Sequence, residues 1–160
     1  QEGYVFSDTI AGNIGVSDDR PDMERVRRAT RIANIDTFID ALPLGYNTKI
    51  GADGHGLSVG QKQRLLIARA AYKEAKYLFF DEATNSLDAN NERTIMERLD
   101  RLFENKTVVV VAHRLSTVRN ADKIVVLNRG RIVEQGTHDE LTAKRGYYYE
   151  LVRNQLELGN

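Results

Sequence analysis

The spacing of hydrophobic and polar residues separates a helical first part of the chain from a second part that alternates strands and helices. In the first part, apolar residues at helical intervals predict helices over about residues 21–33 and 35–42. A glycine-rich loop follows over residues 48–56. Ser58 and Gln61 then fit a capping box, which predicts the start of a third helix. The apolar side of that helix carries Leu65, Ala68 and Tyr72.

Short apolar runs mark the strands of the second part. Residues 77–80 predict a strand that ends in two adjacent carboxylates, Asp81 and Glu82. Residues 107–112 form a β-branched run, which is typical of a strand buried on both faces in a parallel sheet. His113 comes directly after this run. Both sets of polar side chains therefore lie at carboxyl ends of predicted strands, where open α/β sheets bind ligands.

Past these strands the pattern predicts a hairpin and two helices. The hairpin strands cover residues 123–127 and 131–135, with a turn at residues 128–130. Thr137 and Glu140 fit a second capping box before a short helix, and a final helix follows. The alternation of strands and helices from residue 77 onward favours an α/β sheet.

Composition limits the classes of protein that this chain can represent. It has 160 residues, 41% of them hydrophobic and 29% charged, an ordinary globular mixture. The formal net charge is zero, so no overall electrostatic attraction favours nucleic acid as a partner. Cysteine is absent, which excludes disulfides and thiolate metal sites. The longest apolar runs are too short to span a bilayer, so the composition predicts a soluble chain. Because it opens without methionine on an apolar cluster, we expect it to be a fragment of a larger protein.

Each candidate site has both a functional and a structural interpretation. The helix start at Ser58 exposes amides that bind anions, but most Ser-x-x-Gln sequences are only helix caps, and taken alone the pattern favours that structural interpretation. One carboxylate of the pair Asp81 and Glu82 suits Mg²⁺ bound through water, and the other suits accepting a proton; the alternative is an acidic loop. His113 suits hydrogen bonding to a phosphate, and the alternative is an ordinary histidine.

Five segments together resemble the motifs of ATP-binding cassette (ABC) nucleotide-binding domains, in family order. They are similar to the signature motif LSGGQ (Leu57, Ser58, Val59, Gly60, Gln61), the Walker B motif with its glutamate (residues 77–82), the D-loop (residues 85–88), the switch histidine (His113) and the Q-loop glutamine (Gln1). Val59 departs from the family pattern, because it stands in place of the first glycine of the signature. The resemblance runs the length of the chain.

The resemblance implies a partial P-loop NTPase fold of the α/β class. Residues 1–73 would form the Q-loop and helical subdomain, and residues 74–160 the C-terminal part of the RecA-like catalytic core. The implied ligands are ATP and Mg²⁺, with Asp81 and Gln1 at the metal. Glu82 would be the general base or position the attacking water, and His113 would contact the γ-phosphate.

The same resemblance implies a composite site and a membrane setting. Ser58 and Gly60 would touch ATP held by a second nucleotide-binding domain, in a homodimer or heterodimer, with Asp88 across that interface. The loop over residues 48–54 and the C-terminal segments are similar to those of exporters. Such exporters usually carry their transmembrane domains on the same chain, so we expect the cytoplasmic face of the cell membrane as location. Tyr4 and Phe6 would help form a groove for a coupling helix of those domains.

The sequence contains no Walker A motif. Its nearest match to GxxxxGK(S/T) covers residues 51–58, with Leu57 where lysine is required. We therefore expect the isolated chain to lack useful ATP affinity and turnover, and the intact protein to hydrolyse ATP and export an unidentified substrate. A soluble, non-transport ABC ATPase is the alternative, and a purely structural ABC-like domain is a second one.

Overall fold

The computed structural model describes residues 4–52, 54, 56–81, 103–111 and 118–158, with the backbone alone for 155–158. The chain divides into two compact units, Gln1–Val109 and Val110–Asn160. The boundary predicted between residues 73 and 74 is a different division, by motif rather than by contacts, and stays a prediction.

The first unit is mostly helical up to residue 73, as the sequence pattern predicts. Its elements are β1 (Asp8–Thr9), α1 (Ile10–Ile14), α2 (Met23–Ile32), α3 (Asp36–Asp40), a 3-10 turn (Gly45–Asn47), β2 (Lys49–Ile50), α4 (Val59–Lys73), β3 (Tyr77–Asp81) and β4 (Thr107–Val111), the last of which continues past the division. The predicted helices over residues 21–33 and 35–42 correspond to α2 and α3. Asp22 caps α2, accepting hydrogen bonds from the amides of Glu24 and Arg25.

Helix α4 is the central element of the first unit and packs against α1 and α2. Its predicted apolar side is confirmed, since Leu65, Ala68 and Tyr72 are all buried. Residues from α1, α2 and α3 complete this core, together with Ile50 of β2. The hydroxyl of Tyr72 donates to Asp18 and accepts from the backbone amide of Asp22, which ties the connector before α2 to α4.

Two short strands were not predicted from the sequence. β1 and β2 pair in antiparallel fashion, with Asp8 opposite Ile50 and Thr9 opposite Lys49. Gly51 follows with φ +99°, and a Cβ added there would lie 2.7 Å from the carbonyl oxygen of Phe6. The predicted glycine-rich loop therefore contains a strand, and glycine at position 51 lets it approach the chain near Phe6.

Strands β3 and β4 are neighbours in a two-stranded sheet. Leu78 and Phe80 face the core, whereas Tyr77 and Phe79 are 67% and 77% exposed. The expectation that residues 107–112 are buried on both faces is wrong for this chain, because residues 109–111 are exposed. The physical reason is that the described residues pack against only one face of this sheet, the face that carries Leu78 and Phe80, and leave the other face exposed.

The second unit contains the predicted hairpin. Strands β5 (Ile124–Asn128) and β6 (Arg131–Gly136) pair in antiparallel fashion, and helices α5 (His138–Lys144) and α6 (Tyr147–Leu158) follow. Arg129 and Gly130 form the turn with φ of 48° and 75°, the left-handed pair that a tight hairpin favours. The second capping box is confirmed, since Thr137 and Glu140 exchange hydrogen bonds at the start of α5. The core of this unit consists of Ile124, Val126, Leu141 and Tyr148.

A buried carboxylate joins β6 to α6 in the second unit. Glu134 is 8% exposed and accepts a hydrogen bond of 2.7 Å from the backbone amide of Tyr148, in the first turn of α6. A Cβ added at Gly146 would overlap the Glu134 carboxylate. Because glycine has no side chain, position 146 provides the space that this carboxylate occupies.

No helix within the described ranges has the length and apolar character needed to cross a membrane.

Candidate functional site

The start of α4 carries the residues that the sequence marks as a phosphate site. Ser58 is the N-cap of the helix, and its Oγ accepts a hydrogen bond of 3.2 Å from the amide of Gln61. The Gln61 side-chain oxygen accepts from the Ser58 amide at 2.9 Å. The predicted capping box is therefore confirmed, and the helix starts at the position that the sequence indicates.

The capping box itself does not use every hydrogen-bond donor at this helix start. A serine hydroxyl carries one donor as well as acceptor lone pairs, and the cap uses only an acceptor. Among the described residues, no group accepts from the Ser58 hydroxyl or from the amides of Val59 and Gly60. Ser58 is exposed and Gly60 is partly exposed. Unpaired amides at a helix N-terminus, with the positive end of the helix dipole, suit a phosphate group.

The residues on either side of Ser58 differ in burial. Val59 is 69% exposed, so the side chain that replaces a glycine in the family pattern lies on the surface. Leu57 is partly buried and packs against the core of the first unit. The packing of Leu57 fixes the chain just before the helix start and so holds Ser58 and Gly60 in position at the end of α4.

Asp81 ends β3 and is the one residue of the predicted carboxylate pair that the structure describes. Its side chain is exposed, and no described residue donates a hydrogen bond or forms an ion pair with it. An exposed carboxylate at a strand end fits a Mg²⁺ ion held through water, because carboxylate oxygens are the ligands that Mg²⁺ prefers. Gln1, Glu82, Asp88 and His113 lie outside the described residues, and their roles stay predictions.

Comparison with known proteins adds an independent line of evidence. The family model described as "ABC transporter" matches residues 3–85, which is more than half of the chain and includes α4 and β3. The chain belongs to the ABC transporter family. The partial P-loop NTPase fold of the α/β class, predicted from the sequence, is thereby confirmed.

The relatives of this ABC transporter chain carry names of transporters and flippases. It is 48% identical over 155 residues to ABC transporter B family member 14 of Arabidopsis thaliana, covering 97% of this chain and 12% of that protein. It is 48% identical over 158 residues to the ATP-dependent lipid A-core flippase of Cupriavidus pinatubonensis, covering 97% of this chain and 27% of the flippase.

A solved structure agrees. The ATP-bound structure of a bacterial Atm1-family ABC exporter superposes with a TM-score of 0.89 and 41% sequence identity, over 97% of this chain and 27% of the exporter. The chain thus spans about a quarter or less of the length of these proteins. It is similar to one part of the exporter chain.

One residue that the sequence pattern does not reveal links the signature helix of this ABC transporter chain to its N-terminal segment. Arg69, on α4, donates to the backbone carbonyls of Asn13 (2.7 Å) and Tyr4 (2.9 Å). It also donates to the side-chain oxygen of Asn13 at 3.1 Å. Burial lowers the pKa of Arg69. Its sequence signal is slight: an arginine and an asparagine in otherwise apolar helical stretches, 56 residues apart.

Proposed function

We propose that the intact protein is an ATPase that couples ATP hydrolysis to export of a substrate across a membrane, and that this chain is part of its nucleotide-binding domain. The observation that carries the proposal is the start of α4. There, a complete capping box holds Ser58 and Gly60 at the surface, and no described residue accepts from the Ser58 hydroxyl or from the amides of Val59 and Gly60. The exporter relatives support the transport function.

The free donors at the start of α4 fit the γ-phosphate of an ATP molecule. Ser58 and Gly60 would bind it while the P-loop of a second nucleotide-binding domain holds the rest of that nucleotide. The neighbouring residues hold these two in place. Leu57 packs against the core, and Gln61 completes the capping box. Val59 is exposed beside them. Asp88 would lie across the same dimer interface.

The end of β3 would serve a different ATP molecule, the one bound by this domain. Asp81 would hold Mg²⁺ through water, with Gln1 as a further metal contact. The chemistry that Mg²⁺ supplies when bound is electrostatic, since it offsets the negative charge of the β- and γ-phosphates. Glu82 would accept a proton from the attacking water or orient that water, and His113 would donate to the γ-phosphate.

The partners follow from this arrangement. One is the second nucleotide-binding domain, and the other is the set of transmembrane domains, which we place on the same polypeptide. The domain would lie at the cytoplasmic face of the membrane. Tyr4 and Phe6, which are 69% and 41% exposed, would meet a coupling helix of the membrane part.

Glu82→Gln in the full-length protein tests the proposed hydrolysis. Glutamine keeps the size of the side chain but cannot accept the proton, so steady-state ATP hydrolysis should be abolished while ATP still binds. Glu150→Gln is the matched control, because Glu150 is an exposed carboxylate paired with Arg153 on α6. Unchanged turnover in Glu82→Gln would remove Glu82 from the mechanism.

The 160-residue chain by itself should neither bind ATP usefully nor hydrolyse it. Its sequence lacks the lysine and the glycine-rich loop that cradle the β- and γ-phosphates. Calorimetric titration with Mg-ATP should give no heat of binding, and micromolar affinity would refute this statement.

The exposed apolar side chains of the first unit should make the isolated chain associate with itself. Tyr77 and Phe79 stand on the open face of the sheet of β3 and β4. Bare apolar surface and open strand edges favour self-association. Sedimentation velocity should show species larger than a monomer, and Phe79→Lys should reduce them. A strictly monomeric profile for the unchanged chain would contradict this expectation.

A further inference from the structure

The N-terminal aromatic segment (residues 4–6) combines exposed side chains with a firmly held backbone. The rings of Tyr4 and Phe6 contact each other edge to face at 5.0 Å, and both are open to solvent. The amide of Phe6 donates to the side-chain oxygen of Asn13 at 2.9 Å, and its carbonyl accepts from the Asn13 side-chain nitrogen at 3.0 Å. Exposed aromatic side chains on a fixed backbone suit a contact surface of defined geometry.

Asn13 is the centre of this arrangement. It lies on α1, is fully buried, and uses both donors and both acceptors of its side-chain amide. The second donor reaches the carbonyl of Thr9 at 3.1 Å, and the second acceptor position is taken by Arg69. A buried amide whose donors and acceptors are all satisfied specifies one conformation of the surrounding backbone.

Arg69 connects this centre to α4. Its guanidinium donates to three oxygens, two on Asn13 and one on Tyr4, and lies 5.3 Å from the centre of the Phe6 ring. Five donors in a rigid plane allow arginine to bridge several acceptors at once, which lysine cannot do. On the side of the β2 loop, Gly51 approaches the carbonyl of Phe6 so closely that a Cβ there would collide with it. The aromatic segment is thus held from two sides.

The same helix carries the phosphate-site residues and Arg69. α4 is one uninterrupted α-helix from Val59 to Lys73, and Arg69 lies ten residues beyond its first residue. At 1.5 Å per residue, roughly 15 Å separates the two positions along the axis. A helix packed against a core moves as a rigid element over such a distance.

We propose that Arg69 is a positioning residue that fixes the aromatic segment to α4, so that any shift of the helix start on binding nucleotide moves Tyr4 and Phe6 with it. This inference rests on the proposed function, in which Ser58 and Gly60 bind ATP and the aromatic segment meets the membrane part. Arg69 touches neither ATP nor the reacting atoms in this arrangement. Its loss should therefore separate hydrolysis from the response of the membrane part.

The test uses the full-length protein in lipid nanodiscs with Mg-ATP and orthovanadate. ATP hydrolysis is measured first, and the tryptic cleavage of the membrane part is then compared with and without Mg-ATP plus vanadate. In Arg69→Gln, hydrolysis should stay near the wild-type rate, whereas the nucleotide-dependent change in cleavage should fall about tenfold, a typical allosteric coupling. Arg28→Gln is the matched control, because Arg28 also lies in the first unit and its ion pair among the described residues, with Glu74, is on the surface.

Two outcomes with Arg69→Gln would overturn the inference. One is an unchanged cleavage response in Arg69→Gln, and the other is an equal loss of hydrolysis and response, which would assign Arg69 to the nucleotide site. If Arg69→Gln does not accumulate as folded protein, Arg69→Lys decides, since lysine keeps the charge but reaches fewer acceptors. Its response should lie below that of the wild type at undiminished hydrolysis, and an unchanged response would overturn the inference. Absence of hydrolysis in the wild type would instead refute the proposed function.

Discussion

Replacing Ser58 by aspartate separates the two roles of the serine hydroxyl at the start of α4. Aspartate caps a helix about as well as serine, because its carboxylate accepts the same hydrogen bond from the amide of Gln61. Its negative charge also interacts favourably with the helix dipole, by about 0.3–1 kcal/mol. Ser58→Asp should therefore leave the free energy of unfolding close to its original value. Ser58→Ala should lower it by about 1 kcal/mol.

The effect on activity should follow the opposite order. The Ser58→Asp carboxylate cannot donate to a phosphate oxygen, and it places a negative charge beside the γ-phosphate. Two unit charges about 4 Å apart repel by roughly 4 kcal/mol at an effective dielectric constant of about 20. That corresponds to roughly a thousandfold loss of hydrolysis rate. Ser58→Ala removes only one hydrogen bond to a charged group, about 1.5–3 kcal/mol, or roughly a tenfold to hundredfold loss.

The chain offers a matched control in its second capping box. Thr137 accepts from the amide of Glu140 at 3.3 Å, and the Glu140 carboxylate accepts from the Thr137 amide at 2.9 Å, as in the box at Ser58. Thr137→Asp should change neither stability nor hydrolysis appreciably. Urea unfolding of the chain gives the stability, and steady-state hydrolysis by the full-length protein gives the activity. If Ser58→Asp hydrolysed ATP at the wild-type rate, Ser58 would be a helix cap and nothing more.

Two further substitutions test other features of the structure. Gly146→Ala should destabilise the second unit by about 1–3 kcal/mol in urea unfolding, because the added methyl group displaces the buried Glu134 carboxylate from its hydrogen bond. Gly56→Ala is the control, since a Cβ there meets no atom of the described residues within 4 Å, and it should be close to neutral. The hydrogen bond to Asp18 raises the pKa of the Tyr72 hydroxyl above 10.0, so the stability that it contributes is present below about pH 10 and is lost as pH rises further. Tyr72→Phe should flatten the fall of the urea midpoint above about pH 10, and an unchanged slope would contradict the assignment.

The features that could be predicted from the sequence are those that depend on local rules. Both capping boxes need only a hydroxyl residue and an acidic or amide residue three positions later, and both form as expected at Ser58 and Thr137. The hairpin turn needs residues that tolerate positive φ, which Gly130 provides. The buried side of α4 follows from its 3.6-residue period alone.

The features that could not be predicted depend on contacts between distant parts of the chain. β1 and β2 have two residues each, too few to show a period. They form because the fold brings Asp8 opposite Ile50, which lies far away in the sequence. The bridge from Arg69 to Asn13 and Tyr4 spans 56 and 65 residues. An arginine in an amphipathic helix ordinarily indicates a solvent-exposed face, and only the fold shows that this one faces the N-terminal segment.

The departure from the family pattern at Val59 can be understood from the geometry of the helix start. Val59 is the first residue of α4, so its backbone is helical and needs no glycine. Valine is, if anything, a better helix residue than glycine, by a few tenths of a kcal/mol. The capping box closes around this position, and the valine side chain remains 69% exposed. Val59 therefore costs the chain's own fold nothing. Any effect of the substitution must fall on whatever approaches this end of α4 from outside, which in the proposed function is ATP bound by the second domain.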